Sequence, residues 1–267
     1  APPTLASYCA LRRAGQTAGH FTDRSVPRTA TVQRSKFIRA ALSNALRGLE
    51  ALHEANLVHC GISLESIGIT QEDDRAGVKG RLENLHLSRD ARSLELASRV
   101  DEQTGSLLPR FQGRPDPLDT ELRRRAERAG ALGESGHDGA GRFGRADDMR
   151  AFGATMLLAI MVACAPSTSE VEVAELARLL DGPFALDLYE SPTDGAVDIE
   201  ALKEYLVAAD ELRLESAEAN RDGVGGVDLL ESGGGWDLVG ALLGPWADRP
   251  TATEALAHRF WDTTCSV

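Results

Sequence analysis

The alternation of apolar and polar positions divides the chain into helical segments and one short hairpin. Residues Phe37 to Leu57 form a helical run. From Ala151 to Ala165 the residues are apolar almost all round, which predicts a helix buried on every side. That run is too short for a comfortable membrane span. Turn-forming residues from Gln71 to Gly77 predict a connection between two strands.

Capping and breaking residues place the remaining elements. Thr251 or Thr253 is expected to cap the last helix, and Glu254 is spaced for a capping box with Thr251. An arginine-rich helix is expected from Asp119 or Thr120 to about residue 129. The glycine-rich residues after it predict a flexible surface insertion near 130–144.

Composition and charge exclude some classes of protein. The chain is long enough for one large domain or two small ones. Its formal net charge of -12 argues against a general nucleic-acid-binding protein. Acidic residues concentrate between Glu170 and Glu218, either as solvated helix faces or as a docking surface. The four cysteines are scattered along the chain: Cys9, Cys60, Cys164 and Cys265. They lack the spacing of metal ligands, which favours a reducing compartment.

The stretch from Leu57 to Ser66 resembles the catalytic loop of protein kinases with its chemistry removed. The kinase pattern H-R-D-x-K-x-x-N keeps only its histidine, His59. The resemblance puts Cys60 at the arginine, Gly61 at the catalytic aspartate, Ser63 at the lysine and Ser66 at the asparagine. In kinases that aspartate receives the substrate hydroxyl proton and that asparagine holds magnesium. Neither glycine nor serine can serve as a carboxylate base.

The segment from Val78 to Arg89 resembles the kinase strand and D-F-G motif with the same kind of loss. By this resemblance Asn84 replaces the metal-binding aspartate, Leu85 the phenylalanine and His86 the glycine. Magnesium prefers carboxylates, so an amide is a poor replacement. Gly68 falls where kinases place an aliphatic residue beneath the adenine ring. The alternative interpretation of both stretches is a helix followed by an unrelated hairpin.

Two later motifs are similar to the kinase C-lobe in the same order. Residues Ala146 to Gly153 resemble the start of its buried central helix. The C-terminal stretch, from Trp236 to Trp261, resembles its last helices and is the most specific match. The expected fold is therefore mainly α: a protein-kinase-like C-lobe, with a helical bundle around a buried central helix and a short β-hairpin.

The resemblance implies structural roles for four residues. His59 would pack against Leu85, Asp148 would bind the backbone of the catalytic loop, and Arg249 would pair with an acidic residue, for which Asp116 is a candidate. Because only Asp148 has such a role, its neighbour Asp147 is expected to tolerate alanine.

The resemblance also divides the chain. Residues 1–36 correspond to the hinge and first helix of the kinase fold, with the N-lobe absent, and residues 37–262 to the C-lobe. The surface that an N-lobe normally covers, around Cys60 to Glu65 and Leu5 to Leu11, is expected to be exposed and to dock a partner.

The resulting hypothesis is a pseudokinase without cofactor or metal, acting as an interaction scaffold in a multi-subunit complex. One alternative is a nucleotide-binding kinase-fold enzyme whose N-lobe lies outside this chain, and another is a helical domain unrelated to kinases. A looser resemblance to the kinase-like domain of plant plastid-lipid-associated (fibrillin-type) proteins rests on residues 59–88, Asp148 and residues 234–238. It implies a chloroplast protein for which peripheral membrane association is possible.

Overall fold

A computed structural model describes residues 4–13, 27–71, 78–91, 125–126, 139–164, 197–216 and 226–262. Several predictions lie outside these residues: the turn at 72–77, the candidate Asp116, most of the arginine-rich helix and the acidic residues before 197. The described residues are mostly helical with two small antiparallel sheets, so the prediction of a mainly α fold is confirmed at that level.

Seven helices and four strands make up the described part of the chain. The helices are α1 (Leu5–Arg13), α2 (Pro27–Glu54), α3 (Gly139–Cys164), α4 (Ile199–Ser216), α5 (Gly226–Glu231), α6 (Gly235–Leu243) and α7 (Ala252–Leu256). The strands are β1 (Leu57–Val58), β2 (Ile67–Gln71), β3 (Val78–Leu82) and β4 (Arg89–Asp90). Short 3₁₀ turns form at Leu64–Ser66, Leu85–Leu87 and Arg259–Trp261. Strand β2 pairs with β3, and β1 with β4.

Helix α3 is the centre of the core, as its apolar sequence predicts. All residues from Phe152 to Val162 are buried, because α1, α2, α5 and α6 all pack against this helix. At Gly153 a Cβ atom would lie 2.7 Å from Cβ of Leu242 on α6. The glycine lets the two helices approach closely, which a larger residue would prevent.

The hairpin of β2 and β3 is packed directly on α2. A Cβ atom at Gly80 would lie 2.1 Å from the carbonyl oxygen of Ala41, so only glycine fits there. Ile67 and Ile69 of the paired strand are buried in the same core. This contact fixes the segments that enter and leave the hairpin, which carry the residues of the candidate site.

The start of α3 corrects the predicted flexible insertion. Residues 139–144 belong to the helix, and Phe143 is buried with its ring centroid 5.8 Å from that of Trp246. For these residues the prediction of a flexible segment is wrong, because an aromatic contact outweighs the local glycine content. Residues 130–138 lie outside the described part.

The segment expected to be exposed at the N-terminal end is instead part of the core. Leu5, Tyr8 and Cys9 are buried, because α1 packs on α3 and on the 3₁₀ turn at Leu64–Ser66. The expectation of an exposed docking surface is wrong for these three residues. None of the helices in the described ranges is both long and apolar enough to span a bilayer.

The predicted capping box at the last helix is present. Thr251 Oγ1 accepts from the amide of Glu254 at 3.2 Å, and Glu254 Oε2 accepts from the amide of Thr251 at 2.8 Å. The two side chains thus satisfy amides at the start of α7 that the helix itself leaves unpaired. Thr251 is therefore the N-cap of α7.

Candidate functional site

The candidate site is the loop His59–Ser66, whose backbone is bound by the side chain of Asp148 on α3. Asp148 Oδ2 accepts from the amide of His59 at 2.6 Å, and its Oδ1 accepts from the amide of Cys60 at 2.9 Å. Cys60 has a φ of 62°, the left-handed region that non-glycine residues rarely adopt. The contact expected between Asp148 and the loop backbone is therefore present, and it supports a strained turn.

His53, in the last turn of α2, adds a third contact to the same carboxylate. Its Nε2 lies 3.1 Å from Asp148 Oδ2, and both side chains are almost fully buried. A buried carboxylate needs several donors to offset its lost hydration. His53 was not predicted as a site residue, although a histidine near the end of an apolar helix face is a signal that could have indicated one.

His59 is buried and connects the loop to the segment after β3. Its Nε2 lies 2.8 Å from the carbonyl oxygen of Glu83, so in the neutral ring Nε2 carries the proton. Leu85, which was expected to pack against His59, is 52% exposed and is therefore not a core residue. The left-handed conformation of Asn84 (φ 60°) turns the chain so that Leu85 is left outside the core.

Gly61, which the resemblance puts at the kinase aspartate, faces the end of the Leu87 side chain. A Cβ atom added there would lie 2.7 Å from Cδ1 of Leu87. Leu87 would have to move before any larger residue fitted at position 61. Leu87 was not predicted to contact position 61, and the only signal for it in the sequence is its position two residues after Leu85.

Ser63 and Ser66 satisfy each other within the loop. Ser66 Oγ accepts from the amide of Ser63 and donates to its carbonyl oxygen, each at 2.9 Å. The Ser66 side chain is fully buried, and these bonds use its hydroxyl. The geometry gives these two residues a structural role in closing the 3₁₀ turn at Leu64–Ser66.

Gly68 lies on the outer face of β2, beneath the Glu83 side chain. A Cβ atom at Gly68 would lie 2.2 Å from Glu83 Oε1, and that oxygen is held by Arg81 at 2.9 Å. The face that the resemblance assigns to an adenine ring is therefore covered by the chain itself. Asn84 and His86 are exposed on the turn that follows.

A second polar cluster contains Asp147, in the N-terminal half of α3, and Arg249, just before α7. Arg249 donates from Nε to the carbonyl of Gly244 at 2.8 Å and from Nη1 to that of Ala146 at 3.2 Å. Burial, with the positive charge of Arg150 beside it, lowers the pKa of Arg249 to about 10. The acidic partner expected for Arg249, Asp116, lies outside the described residues.

Asp147 is buried, which corrects the expectation that it would tolerate alanine. Arg125 Nη2 donates to both of its carboxylate oxygens. Burial raises the pKa of Asp147, and the ion pair with Arg125 opposes that shift without cancelling it. Asp147 is therefore a buried carboxylate paired with a partly exposed arginine, a role that the sequence pattern did not indicate.

The polar groups of the site hold the conformation of the loop. Asp148 has both oxygens engaged by the loop and by His53, and Glu65, the other carboxylate in the loop region, is exposed. No group of metal-ligating side chains occurs among the residues that the structure describes. The arrangement is that of a rigid support for the segment from Glu83 to Leu87.

Comparison with family models, curated proteins and solved structures finds no match to this chain.

Proposed function

We propose that this chain is a catalytically inactive protein-kinase-like domain that serves as a protein-interaction module of a larger assembly. One observation carries the proposal: Asp148 holds the loop backbone, while position 61, which corresponds to the catalytic aspartate in the resemblance, is a glycine. Asp148 binds the amides of His59 and Cys60, whereas Leu87 occupies the space next to Gly61. A loop retained for catalysis would need a carboxylate at that position.

The other substituted positions support the same conclusion. Phosphoryl transfer depends on positioning and on neutralising charge, which kinases achieve with metal ions held by an aspartate and an asparagine. Here the hydroxyl of Ser66 is used within the loop, and Asn84 is an exposed amide without charge. Neither residue offers the anionic oxygen that magnesium prefers.

Nucleotide binding is disfavoured by the Glu83 side chain, which lies over Gly68. Glu83 is a carboxylate held by Arg81 against the face of β2, so a nucleotide would have to displace this side chain and tolerate its charge. This contact weakens the alternative of a nucleotide-binding enzyme. We therefore propose that the domain takes no cofactor.

We assign the partner contact to the turn Asn84–His86. His59 fixes the carbonyl of Glu83, so the turn projects from a rigid support, and Leu85 is a large apolar side chain in contact with solvent. The apolar residues of the loop itself, Ile62 and Leu64, are buried and cannot form the docking surface expected around residues 60–65. The proposed partner is a protein with a small apolar pocket for Leu85.

The cellular setting follows only from the looser resemblance. The similarity to fibrillin-type kinase-like domains supports a chloroplast assembly, with peripheral membrane association as a further possibility. The acidic net charge of -12 supports a protein partner over nucleic acid.

Catalytic inactivity is tested with radiolabelled ATP, magnesium and generic protein substrates. We expect phosphate transfer by the wild-type chain to stay at background. A parallel thermal-shift series with ATP, with and without magnesium, should leave the melting temperature unchanged. Binding would be detectable in this assay, because a ligand at a hundred times its Kd stabilises the fold by about 2.7 kcal/mol. Transfer that is abolished by Asn84→Ala would refute the proposal, as would a clear ATP-dependent shift.

The interaction role is tested by size-exclusion chromatography of native extract and by two matched variants. We expect the chain to co-elute with a partner, Leu85→Asp to release it, and Tyr205→Asp to leave it bound. Both residues are exposed large apolar side chains, so the comparison separates a specific contact from general loss of surface hydrophobicity. A chain that elutes alone as a compact monomer would contradict the scaffold function, and equal release by both variants would contradict the assigned turn.

A further inference from the structure

The 3₁₀ turn Arg259–Trp261 is held by a histidine that must be neutral to hold it. The amide of Phe260 donates to Nδ1 of His258 at 3.2 Å. Nδ1 can accept only when it carries no proton, so this ring is in the Nε2-protonated neutral form. A protonated ring would present an N–H group to the N–H group of Phe260.

The turn places Phe260 between two helices. Its ring is fully buried, with the guanidinium carbon of Arg39 on α2 lying 4.7 Å from the ring centroid. On the other side, a Cβ atom at Gly235, the first residue of α6, would lie 2.9 Å from the ring. Trp261 secures the turn by donating from Nε1 to the carbonyl of Ala255 at 2.8 Å. Release of the turn would therefore uncover an apolar surface between α2 and α6.

The charges around His258 determine the direction of its response to pH. Asp237 on α6 favours the protonated ring, Arg259 opposes it, and these two residues form an exposed ion pair at 3.0 Å. Burial has the largest effect, and the pKa of His258 is lowered from its ordinary value of 6.5. Opening the turn restores the ordinary value, so the open form binds a proton more tightly and acidification below pH 6.5 favours opening.

We propose that the Arg259–Trp261 turn is a pH-sensitive latch, in which protonation of His258 removes the acceptor of the Phe260 amide and releases Phe260 from between α2 and α6. The movement is a local opening of a surface turn, while the buried helix α3 keeps its structure. The latch is independent of the proposed interaction site at Asn84–His86.

The test is amide hydrogen exchange of the full chain between pH 7.5 and 5, with protection factors corrected for the intrinsic exchange rate. We expect protection of the Phe260 amide to be constant above pH 6.5 and to fall by up to about tenfold per pH unit below it, until the ring is protonated in both forms. Leu157 in α3 should keep its protection throughout.

Two variants complete the test. His258→Asn keeps an oxygen acceptor that does not titrate, so its Phe260 protection should be independent of pH. His258→Ala has no acceptor and should show low protection at every pH. Constant protection in the wild type, the same pH response in His258→Asn, or simultaneous loss at Phe260 and Leu157 would each overturn the latch.

Discussion

Replacing Asp148 by alanine is the most direct test of how the candidate site is built. The carboxylate accepts from the amides of His59 and Cys60 and from the ring of His53. Asp148→Ala leaves these donors without an acceptor in a place that water reaches poorly, since Asp148 is only 2% exposed. The change removes no large apolar side chain, so any loss of stability comes from the polar network.

The expected cost follows from the number of stranded donors. A buried donor without a partner costs about 1–3 kcal/mol, and two amides lose theirs. The loop can relax, and the costs within one network are not additive, so we expect about 2–5 kcal/mol in the free energy of unfolding. Asp148→Asn keeps one oxygen but directs an NH₂ group at a donor, so it should cost less than alanine and remain clearly destabilising.

The assay is urea denaturation followed by far-UV circular dichroism, with the slope against urea checked for constancy. The matched control is Glu65→Ala, which removes an exposed carboxylate from the same loop and should stay within about 0.5 kcal/mol of the wild type. Equal midpoints for Asp148→Ala and Glu65→Ala would refute the reasoning, because they would mean that the carboxylate does not hold the loop.

Two further predictions concern the ends of α3 and α7. Asp147→Ala should cost about 1–2 kcal/mol in urea denaturation, because it strands Arg125, which is itself partly exposed; Asp147→Asn should cost less, because burial raises the pKa of this carboxyl and penalises its charge. An alanine variant as stable as the wild type would contradict this. The hydrogen bonds from Thr251 lower the pKa of Glu254 below 4.5, so its stabilising effect is present above pH 4.5 and lost as pH falls through the folded-state value. The melting temperature of Glu254→Gln should therefore respond less than that of the wild type to acidification below pH 4.5, and identical pH profiles would refute this reasoning.

Where one strong local signal was present, the sequence predicted the fold well. The uniform apolar character of residues 151–165 indicated a buried helix, and the structure buries that helix as the centre of the core. The spacing of Thr251 and Glu254 indicated a capping box, which is present. Both features depend on residues close together in the chain, so local reasoning could reach them.

Features that depend on distant residues were missed or wrong. Phe143 joins α3 because of Trp246, a contact across about a hundred positions that the glycine-rich sequence does not reveal. Asp147 is buried beside Arg125, and nothing in its own neighbourhood separates it from an exposed helix residue. The exposure of Leu85 follows from the left-handed turn at Asn84, which an asparagine permits but does not require.

The bonds around the loop have a structural purpose that does not depend on catalysis. Cys60 lies in a left-handed backbone conformation. For a non-glycine residue this conformation costs about 1 kcal/mol or more, and it persists only where surrounding contacts offset the cost. Asp148 supplies that support and positions His59, and His59 in turn fixes the carbonyl of Glu83. The chain of contacts ends at the turn that exposes Leu85. Gly61 contributes no side chain to these contacts, so the network that supports the turn does not depend on a carboxylate at position 61. Asp148→Ala should accordingly weaken both stability and partner binding, whereas Leu85→Asp should weaken binding alone.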